Sequence, residues 1–194
     1  WMPKQRITKE MVVDAAFEIA RKGGMEQVIV KNIAERLGCS VQPIYSYCTN
    51  MEGLRTEVEQ KARQFLQAYL EAHSDSQDLF RSTGHAYLQL AKEEPQILRI
   101  FVLQKRANVS SLEELYQLET NPQVAKRIAA DLNISIETAK QLHLHMLIYT
   151  IGIGTIFAVT TPGIPLGEIY AQQEEAYEMF LKQAIDGTKS RSQS

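Results

Sequence analysis

Val12, Ala15, Ala16, Ile19 and Ala20 recur at i, i+3, i+4, i+7 and i+8, which predicts an amphipathic helix over residues 8–22 with Thr8 as its cap. Gly23-Gly24 stops it, and Met25, Val28 and Val30 lead into the next element. Ile33, Ala34 and Leu37 share one helical face, and Gly38 follows where a helix end favours positive φ. Ser40 can cap a third helix, Pro43 sits in its first turn, and Ile44 points back to the core. Gln42, Tyr45, Ser46 and Tyr47 remain to face outward. Two short helices joined by a Gly-containing turn form a helix-turn-helix, whose second helix lies in the DNA major groove. An ordinary helical hairpin satisfies the same pattern.

Thr49-Asn50-Met51-Glu52 matches a capping box and opens a long helix over residues 50–73. Leu54, Val58, Ala62, Phe65 or Leu66, and Tyr69 or Leu70 line one face of it. Further helices are predicted over residues 77–93, from Pro95 onward, over 110–118 and over 122–132. Residues 129–140 imitate a second helix-turn-helix, but Asn133 as a helix end and Ser135 as a cap explain them as ordinary punctuation. From Gln141 to Gly167 there is no Asp, Glu, Lys or Arg. The densest apolar stretch, 146–159, is shorter than the about 20 residues that span a bilayer. A helix apolar on nearly all sides should be buried on nearly all sides, here by its own domain and by a second subunit. Gly152 would allow close approach. A last amphipathic helix is predicted over residues 166–185, and the Ser- and Lys/Arg-rich tail 187–194 is expected to be disordered.

The string Ala15-Ala16, Gly23-Gly24, Ile33-Ala34, Leu37-Gly38-Cys39-Ser40, Ile44-Tyr45 and Glu52-Gly53-Leu54 resembles the N-terminal domain of the tetracycline-repressor (TetR) family of transcriptional regulators. The resemblance covers residues 7–54, about a quarter of the chain. It implies an all-α protein: a three-helix helix-turn-helix domain at 1–50, a connecting helix at 51–73 and a larger helical effector-binding and dimerisation domain to 186. In that family the last two long helices of each subunit form a four-helix dimer interface. On this chain Ile148, Gly152, Tyr177, Phe180 and Leu181 are the candidates for it. The family usually has Phe at Cys48, Lys at Met51 and a Ser/Thr cap at Ile29, so a core corner, a phosphate contact and a cap are changed here.

Charge sharpens this picture. The chain carries a net charge of −2, yet residues 1–55 hold 8 Lys/Arg against 6 Asp/Glu, so the N-terminal segment is the one suited to phosphates. A short basic arm at 2–6 can reach phosphates or fray. Lys31, Tyr45 and Thr49 are candidate phosphate contacts, with Tyr47 as a further hydroxyl donor and Ser40 at a helix start. Val41, Gln42, Pro43 and Ser46 are candidate base-edge contacts; Gln42 can bond adenine bidentately, and Val41 or Pro43 can touch a thymine methyl. Packing against the first helix competes as the role of Tyr45. The partner implied is a palindromic double-stranded operator read by a homodimer.

For a small-molecule effector the second domain offers His85, Tyr87, Phe101, His143, Met146 and Tyr149, a set that equally suits a helical core. His143 and His145 point in different directions on a helix and make no metal pair. No metal or cofactor is expected: Cys39 and Cys48 fit no zinc pattern, and no phosphate loop, GxSxG or HExxH is present. The cysteines read as small buried fillers, with a thiol sensor as the other option. An enzyme is not expected. No apolar signal segment follows the first basic residues, so a cytoplasmic location is expected, and Trp1 reads as an addition ahead of Met2. The function expected is a ligand-released repressor. The alternative is a helical ligand-binding or interaction protein that has lost its operator.

Overall fold

In the computed structural model the described residues are 6–47, 50–102, 108–160 and 163–191, with side chains described to 187. All regular structure among them is helical, as expected. Helix α1 (Lys9–Gly23) starts where the Thr8 hydroxyl oxygen accepts from Met11 N at 3.2 Å. It ends at Gly24, whose φ of 95° an L side chain rarely adopts. A 3-10 turn (Met25–Gln27) leads to α2 (Val30–Leu37). Ile29 heads α2 without a side-chain cap; instead Asn32 donates its amide to the Gln27 carbonyl at 2.8 Å. Gly38, at φ 64°, closes α2 with Gly38 N to Glu35 O and Cys39 N to Ala34 O, then α3 (Val41–Tyr47) begins. Val12, Ala16, Val28, Ile33 and Ile44 bury completely to form one small core.

Helix α4 (Met51–His73) is capped by Asn50, which accepts from Gly53 N at 2.7 Å. The cap therefore falls one residue later than the Thr49 box. Asn caps at least as well as Thr, and Thr49 lies outside the described residues. The stripe on α4 serves two cores. Leu54 and Val58 complete the first, while Phe65, Leu66 and Tyr69 pack on a second built by α5 (Leu79–Glu93), α6 (Pro95–Val102), α9 (Ile136–Thr160) and α10 (Leu166–Arg191). Helices α7 (Leu112–Glu119) and α8 (Pro122–Leu132) close the far end, where a third core joins α8, α9 and α10. Asn133 at φ 52° ends α8, and the Ser135 hydroxyl oxygen accepts from Thr138 N at 3.0 Å to start α9. The second helix-turn-helix look-alike is thus plain helix punctuation.

Helix α9 starts at Ile136, so its 25 residues exceed the dense apolar stretch and are, by length and composition alone, enough to cross a membrane. Its inner face, with Met146, Thr150, Gly154 and Phe157, packs against α5, α6, α8 and α10. Burial on nearly all sides is not found in the single chain. Ile148, Ile156 and Val159 are 48%, 54% and 63% exposed, and Gly152 faces the same way. Tyr177 is a correction to the outward set: at 4% exposed it lies on the inner stripe of α10, with Ile169, Gln173 and Ala176. Helical spacing of four and eight residues from Ile169 fixes that direction. Phe180 is half-buried beside the His145 ring at 5.0 Å, and Leu181 packs partly on the third core. The helix backbone of α10 continues to Arg191, through the segment expected to be disordered; Gly187 alone does not end it.

Two glycines on α9 have opposite surroundings. A Cβ at Gly154 would stand 2.9 Å from a Tyr87 ring carbon and 3.0 Å from a Leu98 methyl, whereas nothing lies within 4 Å of one at Gly152. Gly154→Val is expected to lower unfolding free energy by about 1–3 kcal/mol, and Gly152→Ala, which meets nothing within its own chain, to cost less. Urea denaturation of both variants checks the pair; equal effects would contradict this packing.

Candidate nucleic-acid interface and ligand cavity

Helix α3 is held by its inward side chain and leaves its outer surface free. Ile44 is fully buried, while Val41 and Tyr45 are 43% and 60% exposed and Gln42 and Ser46 are exposed beside them. Pro43 is half-buried. The Ser46 hydroxyl turns back to the Gln42 carbonyl at 3.3 Å. Lys31 is exposed in the first turn of α2, and Ser40 is exposed just before α3. These residues are thus exposed on α2, on the turn and on α3. Tyr45 does not pack inward, so the competing reading of that ring is not the one observed. Tyr47 differs: its hydroxyl donates to the Ile7 carbonyl at 2.9 Å, so its proton is committed to the fold. That bond ties the chain just after Arg6 to the end of α3, and Arg6 is exposed. Cys39 is half-buried against the first core, while Cys48 lies outside the described residues. Arg55, which sequence reasoning did not single out, is exposed one turn after Met51 on α4. Its spacing of four from the position where the resembled family carries Lys is the signal that points to it.

The larger helical part carries a partly open cavity of about 690 Å³, within the range of small-molecule sites. Its walls come from α4 through Leu66 and Leu70, α5 through Phe80 and Tyr87, and α6 through Phe101 and Val102. α8 adds Val124 and Ile128, α9 adds His143, Met146 and Thr150, and α10 adds Gln173. Tyr87, Phe101, His143 and Met146 are thus brought together. His85 and Tyr149 are not among the described lining residues. His85 is one helical step from the lining residue Gly84, so its ring turns away to stack on Tyr170 at 4.4 Å, with Nε2 3.0 Å from Glu174 Oε1. Tyr149 likewise turns outward and donates to the Gln172 carbonyl at 3.3 Å. Sequence reasoning missed Gln173 and Thr150. The available signal was a Gln at a position where Ile169 and Tyr177, four residues either side, are apolar.

His143 sits deep in this wall. Burial pushes its pKa down to about 4, so the imidazole is neutral at pH 7. The Tyr116 hydroxyl lies 2.8 Å from Nδ1, and the Phe80 and Tyr116 rings meet the imidazole edge-on. Among the described residues no cluster of three His, Cys, Asp or Glu could hold a metal ion.

Helix α6 connects the two surfaces. Ile100 packs on the first core, while Phe101 and Val102, the next two residues, line the cavity. Just before α6, Glu94 receives a two-pronged ion pair from Arg21 of α1: Nε donates to Oε2 at 2.9 Å and Nη2 to Oε1. The same guanidinium lies 4.6 Å over the Phe65 ring of α4.

No family model matches the chain. A stretch of 98 residues, 48% of the chain, is 28% identical to an uncharacterized HTH-type transcriptional regulator, YobS, of Bacillus subtilis (strain 168). The chain spans about half the length of that relative, 50%. The crystal structure of a transcriptional regulator from Rhodococcus sp. Rha1 is similar with a TM-score of 0.58, over 91% of this chain and 97% of that one, at 14% identity. That likeness shows the fold. The chain is an all-α protein of the same architecture as that regulator.

Neutral His143 sets a pH dependence. Its folded pKa lies below the unfolded 6.5, so the stability it contributes is full above about pH 6.5 and is lost as pH falls through about 4. Relative to His143→Gln, the wild type is expected to lose up to about 3 kcal/mol over that window. Denaturant unfolding of both proteins at stepped pH measures it; parallel pH curves would rule the assignment out.

Proposed function

We propose that this chain is a DNA-binding transcriptional regulator of the tetracycline-repressor type, a homodimer that represses from a palindromic operator and is released by a small-molecule effector. It is read as a cytoplasmic protein. The observation that carries this reading is the exposed row on α3, Val41, Gln42, Tyr45 and Ser46, presented by a two-helix unit whose opposite side is fully buried. Gln42, Val41, Pro43 and Ser46 are assigned to base edges. Lys31, Tyr45, Thr49, Arg6 and Arg55 are assigned to phosphates, aided by the backbone N–H groups at the start of α4. The description of the Bacillus relative as an HTH-type regulator supports the assignment.

Dimerisation is supported by α9, whose outer row of Ile148, Gly152, Ile156 and Val159 is apolar and uncharged. Burying such a row in water-free contact is the usual fate of an apolar patch of this length. A two-fold pair would set two α3 helices to read half-sites about 34–36 Å apart. Release is proposed to run through α6. An effector pressing on Phe101 and Val102 shifts Ile100 and Glu94, hence α1 and α4, and alters the spacing of the paired recognition helices. Ligand and DNA then oppose each other by a reciprocal coupling of about 1–3 kcal/mol. A second reading, a ligand-binding helical protein without an operator, is favoured by the absence of any charge on α3 and by Met51.

Selection of bound duplexes from random DNA separates the two. The regulator reading predicts enrichment of a palindrome, bound with a salt-dependent affinity that falls on the order of tenfold in Tyr45→Ala. Recovery of unrelated sequences, with Tyr45→Ala indistinguishable from wild type, would leave the second reading.

A further inference from the structure

We infer that the cavity takes an uncharged, largely apolar molecule carrying a hydroxyl or N–H donor, and that Gln173 on α10 is the group that receives this donor. The inference rests on the ligand-responsive reading of the cavity and adds the chemistry of its occupant. Gln173 is 3% exposed and lies on the cavity wall. Its Nε2 donates to Thr150 Oγ1 at 3.0 Å. Its Oε1 is buried and has no partner among the described residues. A buried amide oxygen without a donor is destabilising, and almost all such groups in folded proteins are satisfied. Gly84 on α5 makes room for this amide: a Cβ there would stand 2.9 Å from Nε2 and 3.6 Å from Oε1.

The charge of the occupant follows from the wall. Among the described residues the charged groups of the wall are engaged: Arg63 lies over the Phe101 ring at 5.4 Å, and Glu119 is not free. Arg81 is held by Glu174 at 3.2 Å and Glu178 at 2.6 Å, and Arg127 by Asp131 at 3.0 Å. His143 adds no charge, because burial holds it neutral at pH 7. Leu66, Phe80, Tyr87, Ile128 and Met146 give the wall its apolar surface, and Thr83, Thr120 and Asn121 add uncharged polar groups. An ion entering this space would lose its hydration while the charged groups of the wall are already engaged, whereas a neutral ring or chain with one donor satisfies the unpartnered Gln173 oxygen.

Isothermal calorimetry on the full chain tests this with matched probes: 2-naphthol against 2-methoxynaphthalene, 4-phenylphenol against 4-methoxybiphenyl, and 2-naphthoate as the anionic control. Each phenol is expected to bind on the order of tenfold more tightly than its methyl ether, with 2-naphthoate weaker than 2-naphthol. The preference is expected to vanish in Gln173→Leu. If that variant does not fold, Gly84→Ala, which pushes the amide aside, serves in its place with the same expected loss. Phenols and ethers bound equally, ethers or naphthoate bound more tightly, or a preference that survives in the variants would overturn the inference and leave a ligand cavity. No binding of any probe up to its solubility would overturn the cavity reading together with the inference.

Discussion

Helix α4 is shared by two hydrophobic cores, and this constraint organises the molecule. Leu54 and Val58 cannot move without disturbing α1, α2 and α3, and Phe65, Leu66 and Tyr69 cannot move without disturbing α5, α6 and α10. A protein interior is close-packed, so displacement at one end of such a helix is transmitted rather than absorbed. The Arg21–Glu94 pair and the Arg21 contact with the Phe65 ring add a lateral brace near the middle. Charged pairs of this kind contribute little when exposed. Here Glu94 is only 17% exposed, and the two-pronged geometry fixes direction as well as distance.

The consequence is a molecule with two candidate sites and few independent parts between them. On one side α3 shows uncharged polar and aromatic groups held by Ile44. On the other a cavity is lined by seven of the ten helices, among the described residues. Helix α6 is eight residues long and touches both. The exposed row on α9 is a third surface, and its lack of charge sets it apart from the Glu-rich outer face of α10.

Most of the fold was legible in the sequence because punctuation and periodicity agreed. Thr8, Gly24, Gly38, Asn133 and Ser135 do in the structure what their residue types favour. The α3 surface was legible for the same reason: once Ile44 is inward, the helical period leaves Val41, Gln42, Tyr45 and Ser46 outward, while Tyr47 is diverted by a contact 40 residues away that periodicity cannot show. The cavity was half legible. Tyr87, Phe101, His143 and Met146 were found from their chemistry, but His85 and Tyr149 differ from lining neighbours by one 100° step, which composition does not register. Gln173 was hidden because a Gln on a long amphipathic helix is normally a surface residue. Tyr177 was misplaced for the converse reason, since a helix that can face a partner can also face its own core.

The proposed coupling between the cavity and the α3 surface runs through α6 and α4. The most direct measurement is the affinity of Val102→Trp for the operator duplex recovered by selection. Val102 lines the cavity, and it lies on the helix whose Ile100 packs on the first core. An indole there fills part of the space an effector would occupy, with no substitution in α1, α2 or α3. Operator affinity is expected to change by about fivefold or more, with the helical content of the wild type retained. A folded Val102→Trp protein that binds the duplex as the wild type does would contradict it.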